Sequence, residues 1–372
     1  AILLVTLTKV LILSAPSYIY HSTDFDVHRN WLAITKHLPL SEWYFDDQQK
    51  ATVHTLDYPP MFAFFEYVVS SNPITDWFVD SNLLDTRCFE RLPDADNDPS
   101  DACIVFQRAT VIFFDIIYIA GTVFASSQIV FGSSRSISSA SSPSIYTSKQ
   151  VQAYSITAVL LILNPGLLLL DHIHFQYNAM MLGILLASIA CINDKSHIAG
   201  AIFYGTLLTF KHLYLVLAPL YFVYLLRAYC FVHQKKCKVL SFSVSRFLHL
   251  GGATAATLVI PFLPFLATDP VGQLKQMLAR LFPFARGLCH DYWAGNVWAL
   301  YMFSEKVLSF VGKKFHITVL INGLPEVPPN VCAAALLISL APALVYAWKY
   351  AGSTCLNGSS NLFINSVVYC AF

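Results

Sequence analysis

Charge is scarce in this sequence. Asp, Glu, Lys and Arg together make up only 12% of the 372 residues, whereas 56% are hydrophobic. Soluble globular domains use about twice that share of charged residues. The surplus of apolar residues therefore has to face lipid, which predicts a polytopic membrane protein with membrane lipid as a partner. The net charge of +1 lacks the basic excess of nucleic-acid-binding proteins, so no nucleic acid is expected as a partner.

Metal-binding patterns are missing as well. The nine cysteines form no CxxC pair and no Cys/His zinc pattern. The acidic stretch 94–105 lacks the glycine and the closing glutamate of a calcium loop. His172 and His174 are two residues apart, which disfavours a helical zinc pair. Cys88 and Cys103 flank one polar stretch. They either form a disulfide or remain two free thiols, and the sequence leaves both alternatives open.

Long apolar runs are what the sequence has in abundance, and they predict an all-α membrane domain over 1–372. The complete runs cover 1–20, 104–131, 151–170, 178–193, 197–211, 213–231, 246–267 and 331–348. The last run, 362–372, is shorter than the roughly 20 residues that cross the hydrocarbon core. The chain is therefore expected to be truncated at its C-terminus.

Polar segments between the runs indicate the topology. The loop between two late spans is basic, with Arg227, Lys235, Lys236, Lys238 and Arg246. By the positive-inside rule this loop is cytosolic, and alternation makes the serine-rich loop 132–150 cytosolic too. The segments 21–103 and 268–330 then become two large lumenal loops. Within the second, 296–310 is predicted to be a surface helix rather than a span.

The stretch STDFDVHRNWLAIT places two carboxylates directly after the first apolar run. Thr23 and Asp26 have capping-box spacing, which predicts a helix that begins at Asp24 and ends before Pro39. Asp26 would then hold the helix start, while Asp24 lies on a different face and is free for chemistry. The simpler interpretation, in which both acids only stabilise a helix N-terminus, is equally compatible with the spacing.

Two further motifs combine polar side chains with prolines. In TLDYPP the prolines hold Asp57 and Tyr58 in a fixed pose, which suits substrate binding or merely forms a loop turn. In NPGLLLLDHIHFQYN the Pro-Gly pair breaks a helix, and polar residues at membrane depth are usually functional. The polar residues that this motif carries to the membrane edge are Asp171, His172, His174, Gln176 and Asn178.

Four cationic positions complete the pattern. Lys211 and His212 lie in a short turn between apolar runs, and Arg280 and Arg286 belong to RLFPFARGLCHDYW. Each of them alone could equally reach toward lipid headgroups. Together with the acids on the same membrane face, they indicate an enzyme that handles a lipid-borne phosphate and a hydrophilic acceptor.

These motifs are similar to one family. STDFDVHRNWLAIT, TLDYPP, NPGLLLLDHIHFQYN, FKHLYLVLAP and RLFPFARGLCHDYWAGNVWALY occur in the order seen in the endoplasmic reticulum α-1,3-glucosyltransferases that use dolichyl phosphate glucose. The resemblance covers most of the chain. It is stronger to the enzyme that adds the second glucose to the lipid-linked oligosaccharide than to the sister that adds the first.

The resemblance implies a GT-C fold in the endoplasmic reticulum membrane with a lumenal active site. It implies inverting transfer of glucose from dolichyl phosphate glucose to the monoglucosylated, nine-mannose dolichyl-diphosphate oligosaccharide, with no nucleotide or metal cofactor. Asp24 corresponds to the family's catalytic base, and Asp57 is expected to bind the acceptor. The remaining expected substrate-binding residues are Tyr58, His172, His174 and Gln176 near the sugars, and Lys211, His212, Arg280 and Arg286 near the phosphate.

A transporter or flippase of polyprenyl lipids is the alternative from another class. Such proteins show internal repeats and carry charges in broken helices near the bilayer midplane. This sequence has no repeat, and its acids lie in loops on one side, which favours the enzyme. The sister enzyme that adds the first glucose stays open as the nearer alternative.

Overall fold

The computed structural model describes residues 6–9, 11, 22–45, 54–90, 98–135, 147–233, 240–282, 297–317, 324–325, 327–351 and 362–371. The chain divides into two compact units. The first comprises Ala1–Leu281 and Tyr346–Phe372, and the second comprises Phe282–Val345. The predicted first span, 1–20, falls largely outside the described residues.

Helices make up most of the described chain. They are α1 Thr23–His37, α2 Pro60–Ser70, α3 Pro73–Asp80, α4 Asp101–Arg135, α5 Ser148–Ile162, α6 Asn178–Asn193, α7 His197–Phe210, α8 Ala218–Leu225, α9 Val244–Val259, α10 Pro270–Leu281, α11 Val297–Phe315, α12 Pro329–Tyr350 and α13 Leu362–Ala371. Shorter helical turns are Leu40–Glu42, Thr86–Phe89, Pro165–Leu167, Leu168–Ile173, His212–Leu217, Leu226–Cys230 and Ile260–Ala267.

Five helical segments are long and apolar enough to cross a membrane. They are Asp101–Phe131, Ser148–Ile173, His212–Cys230, Val244–Ala267 and Pro329–Tyr350. These segments agree with five of the predicted spans, and the all-α polytopic class is confirmed. The predicted spans at 178–193 and 197–211 form apolar helices of 16 and 14 residues, which are shorter than a full crossing.

The centre of the first unit is a tight contact between α4 and α6. A Cβ atom added to Gly121 would lie 2.2 Å from the Gly183 carbonyl oxygen, and one added to Gly183 would lie 2.5 Å from that of Ile117. Only glycine permits such an approach of two helix backbones. On its other side α6 packs on α7, where the Ser188 hydroxyl donates to the Gly200 carbonyl at 2.7 Å.

The first polar segment is folded against these helices. Cys88 and Cys103 form a disulfide with a Cα–Cα distance of 5.3 Å, which decides between the two alternatives that the sequence left open. The bond ties the turn Thr86–Phe89 to the beginning of α4. Helix α1 packs on this turn and on α2, so the bond lies close to the helix that carries Asp24.

One detail differs from the sequence predictions. The basic loop contains a short antiparallel pair of strands, β1 Phe231–His233 and β2 Leu240–Phe242, which was not predicted. Strands of three residues are too short for a recognisable alternating pattern. In the second unit, α11 confirms that the segment around 296–310 is helical, and the Tyr301 hydroxyl donates to the Pro325 carbonyl at 2.6 Å.

Candidate active site

The first turn of α1 carries Asp24. The helix is capped by Ser22, whose hydroxyl oxygen accepts a hydrogen bond from the Phe25 backbone nitrogen at 3.3 Å. The predicted cap at Thr23 is therefore wrong by one residue, and Thr23 is the first helical residue. Serine is a somewhat better N-cap than threonine, and the tertiary contact of Ser22 with the His174 carbonyl oxygen also favours this position.

The Asp24 carboxylate faces the polar end of the NPGLLLLDHIHFQYN motif. Its Oδ2 atom lies 3.2 Å from His174 Nε2 and accepts a hydrogen bond from the Gln176 side chain. The Asp24 side chain is 35% exposed, so it is open to a substrate. Asp26 instead lies 4.0 Å from Arg29 on the same helix, which separates the two acids as the helical spacing predicts.

A chain of hydrogen bonds continues from Asp24 to Lys211. The Gln176 side-chain oxygen accepts from Asn178 at 2.6 Å, and the Asn178 side-chain oxygen accepts from the Lys211 ammonium at 2.9 Å. We call Asp24, Gln176, Asn178 and Lys211 the Asp24–Lys211 network. It places a carboxylate and an ammonium at opposite ends of one continuous polar cluster.

Lys211 occupies the turn between α7 and the helical turn His212–Leu217. Its ammonium lies 5.2 Å from the centroid of the Tyr58 ring, in cation–π geometry. Burial lowers the pKa of the Lys211 ammonium, and the nearby carboxylates of Asp171, Asp24 and Asp57 oppose this shift. These surrounding acids favour the charged form that a phosphate would need.

Asp171 has a structural task that the sequence did not assign. It is fully buried in the π-helical turn Leu168–Ile173. Its carboxylate accepts from the Asn178 side chain at 3.1 Å and from the Ala179 backbone nitrogen at 2.5 Å. The acid therefore stabilises the N-terminus of α6 and orients Asn178.

The two histidines of the motif point to different places. His174 reaches Asp24, whereas His172 Nε2 lies 3.0 Å from Asp115 in α4, and His172 is buried. Lys9 contacts the same Asp115 carboxylate. That both histidines lie near the sugar stays a prediction, and the structure shows that they have different protein partners. Two residues at this spacing point to different sides of a helical turn.

The TLDYPP motif lies beside the network. Pro59 caps α2 and Pro60 is its first residue, so the motif begins a helix rather than ending in a plain turn. The Tyr58 carbonyl accepts from the Tyr44 hydroxyl at 2.8 Å. Asp57 is exposed, and Arg280 from α10 donates to the Thr55 hydroxyl at 3.0 Å.

His212 and Arg286 are the two remaining residues that are predicted to lie near the phosphate. His212 directly follows Lys211 and begins the turn His212–Leu217. Arg286 lies outside the described residues, as does the stretch 283–296 that contains it. Among the residues that the structure describes, no group of three His, Cys, Asp or Glu side chains is arranged to hold a metal ion.

Residues 5–372 match the model of the ALG6, ALG8 glycosyltransferase family. The chain belongs to this family. Proteins named dolichyl pyrophosphate Glc1Man9GlcNAc2 alpha-1,3-glucosyltransferase are 38% identical in Bos taurus, 40% in Mus musculus and 41% in Saccharomyces cerevisiae. These matches cover 99%, 92% and 78% of this chain, and 66%, 63% and 46% of the relatives' lengths. The resemblance inferred from the motifs is confirmed at the level of the family.

One pair in this member of the ALG6, ALG8 family escaped the sequence analysis. His28 and Glu66 form a buried contact of 2.7 Å beside the Asp24–Lys211 network. Two signals were available in the sequence. His28 is four residues after Asp24, which puts both on one helix face, and Glu66 is the single charge in PMFAFFEYVVS.

Proposed function

We propose that this family member transfers glucose from dolichyl phosphate glucose to the monoglucosylated dolichyl-diphosphate oligosaccharide, and forms an α-1,3 bond with inversion. The observation that carries the proposal is the Asp24–Lys211 network. It joins a partly exposed carboxylate to a half-buried ammonium through two amide side chains. The names of the relatives support the choice of the acceptor with one glucose.

In the proposed reaction, the Asp24 carboxylate takes the proton from the attacking acceptor hydroxyl. The hydroxyl oxygen forms a bond to C1 of glucose while the bond from C1 to the phosphate oxygen breaks. Its electron pair stays on the departing dolichyl phosphate, whose charge Lys211 stabilises. His174 and Gln176 hold the Asp24 carboxylate, and a single in-line displacement inverts the configuration at C1.

We place this reaction on the lumenal side of the endoplasmic reticulum membrane. The Cys88–Cys103 disulfide supports an oxidising compartment for the segment that also carries Asp24. The basic residues Arg227 and Arg246, at the ends of the strand pair, support a cytosolic position for the opposite side.

The test supplies the full-length protein, in membranes that lack their own glucosyltransferases of this family, with radiolabelled dolichyl phosphate glucose and two acceptors. One acceptor carries the nine-mannose oligosaccharide without glucose, and the other carries one glucose. We expect only the monoglucosylated acceptor to be extended, with a product sensitive to α-1,3-specific glucosidase. Extension of the unglucosylated acceptor would instead assign the first-glucose activity. Lipid translocation without glucose transfer would assign a flippase.

A further inference from the structure

A second acid–base pair lies next to the Asp24–Lys211 network. His28 Nδ1 is 2.7 Å from Glu66 Oε1, and the two residues are 4% and 0% exposed. His28 lies one helical turn after Asp24 on α1, so the two side chains leave the same face of the helix. The proposed transfer mechanism uses neither His28 nor Glu66.

The surroundings of His28 are apolar and aromatic. Five rings lie at centroid distances between 4.9 and 6.4 Å from the imidazole, namely those of Trp31, Tyr58, Phe62, Phe175 and Tyr177. Glu66 Oε2 has no hydrogen-bond partner within the described part of the chain. An apolar pair of the same volume would stabilise such a core at least as well, because burying polar or ionised groups costs free energy. A functional reason for this pair is therefore the better explanation.

The geometry leaves one nitrogen of His28 available. Glu66 occupies Nδ1, so Nε2 is the atom that remains for a ligand. His28 lines a narrow cleft together with Tyr58, Gln176 and Lys211. Burial raises the pKa of the Glu66 carboxyl group, and a neutral Glu66 donates its hydrogen to Nδ1, which places the imidazole hydrogen on Nε2 and makes Nε2 a donor.

We propose that His28, held in place by Glu66, donates a hydrogen bond from Nε2 to the phosphate of the donor lipid beside Lys211. This inference rests on the proposed function. As the C1–O bond breaks, its electron pair moves to the phosphate oxygen, and the Nε2 hydrogen and the Lys211 ammonium stabilise that charge together. Glu66 is a positioning residue, since it acts through His28.

The experiment measures glucose transfer and inhibition by the product dolichyl phosphate in the full-length protein. We expect His28→Phe, which fills the aromatic site but has no donor, to lower kcat by about 100-fold. We also expect it to raise the inhibition constant of dolichyl phosphate by about tenfold. His28→Gln keeps an N–H donor and should retain most of the affinity. The matched control is Phe65→Leu, beside Glu66 on α2, which should leave the inhibition constant unchanged.

The inhibition constant does not depend on the amount of folded enzyme, so it separates binding from stability. Glu66→Gln gives a second route if His28→Phe accumulates poorly, and a smaller shift in the same direction is expected. Wild-type kcat and a wild-type inhibition constant in His28→Phe would overturn the inference while leaving the proposed function intact. Absence of transfer by the unmutated protein would contradict the proposed function itself, and this inference with it.

Discussion

Two acids in one helical turn have different neighbours and, on the proposed mechanism, different tasks. Asp24 contacts His174 and Gln176, which come from a segment about 150 residues later in the chain. Asp26 has its ion-pair partner, Arg29, on the same helix. Since both acids lie in the first turn of α1, the helix dipole favours both of them. The tertiary contacts distinguish them, and they support Asp24 as the proposed base.

Substituting each of these two acids in turn separates catalysis from helix stability. Asp24→Asn removes the proton acceptor but keeps the size and the hydrogen-bonding capacity of the side chain. We expect kcat for glucose transfer to fall by about 10²- to 10⁴-fold, as is typical when a general base is lost. The measurement is the initial rate at saturating donor in membranes with quantified protein.

Asp26→Asn is the matched control, because it changes an acid in the same turn that lies outside the network. It should leave kcat within about twofold, as for other substitutions away from a site. Equal losses in the two variants would show that Asp24 acts only on the stability of α1.

Among the helices, the packing of α4, α6 and α7 determines where the network lies. The glycine contact between Gly121 and Gly183 holds α6 against α4. Helix α6 starts at Asn178 and α7 ends just before Lys211, so their antiparallel packing brings these two residues together at one end. The site thus depends on a close helix–helix approach some distance from the polar residues themselves.

A methyl group at Gly183 tests the close approach of α4 and α6. In Gly183→Ala the new methyl group would collide with backbone atoms of Ile117 and Tyr118, which cannot move as a flexible side chain can. We expect the free energy of unfolding to fall by about 1–3 kcal/mol or more, as in other overpacked cores. The midpoint of thermal unfolding of the detergent-purified protein should fall accordingly.

Gly252→Ala provides the control, since a Cβ there meets nothing within 4 Å and the residue lies inside helix α9. Alanine is the better helix former by up to about 1 kcal/mol, so the midpoint should stay the same or rise. A similar fall of the midpoint in both variants would show that the loss of stability does not come from the close contact between α4 and α6.

For the molecule as a whole, function requires that the polar segments lie on the correct side of the membrane. The disulfide-bonded segment before α4 and the turn between α6 and α7 are predicted to face opposite compartments. The turn between α6 and α7 contains Lys195, and the exposed neighbours Asp194 and Ser196 are suited to a reporter site. The topology can therefore be tested without disturbing the Asp24–Lys211 network.

New glycosylation sequons report which side of the membrane each segment faces. Val79→Asn creates an Asn-Asp-Ser sequon in the predicted lumenal loop, and Asp194→Asn creates an Asn-Lys-Ser sequon on the predicted cytosolic side. We expect a glycan, seen as an endoglycosidase-sensitive shift on a gel, only in Val79→Asn. A glycan in Asp194→Asn would reverse the assigned orientation.

Much of the helical framework could be predicted, and much of the site could not. Apolar runs indicate spans directly, because the bilayer imposes length and composition on each helix. The end of α1 before Pro39 was also predictable, whereas its cap at Ser22 and the strand pair Phe231–His233 with Leu240–Phe242 were missed. Motifs named Asp24, Gln176 and Lys211 as candidates but could not show that Asn178 joins them.

The sequence by itself determined that this chain is a helical membrane protein of the ALG6, ALG8 family, because composition and motif order are local and additive properties. Only the tertiary structure decided which polar side chains meet. It turned His174 toward Asp24 and His172 toward Asp115, and it paired His28 with Glu66. Such pairings depend on helix rotation and on the close approach of glycines, neither of which can be read from spacing along the chain.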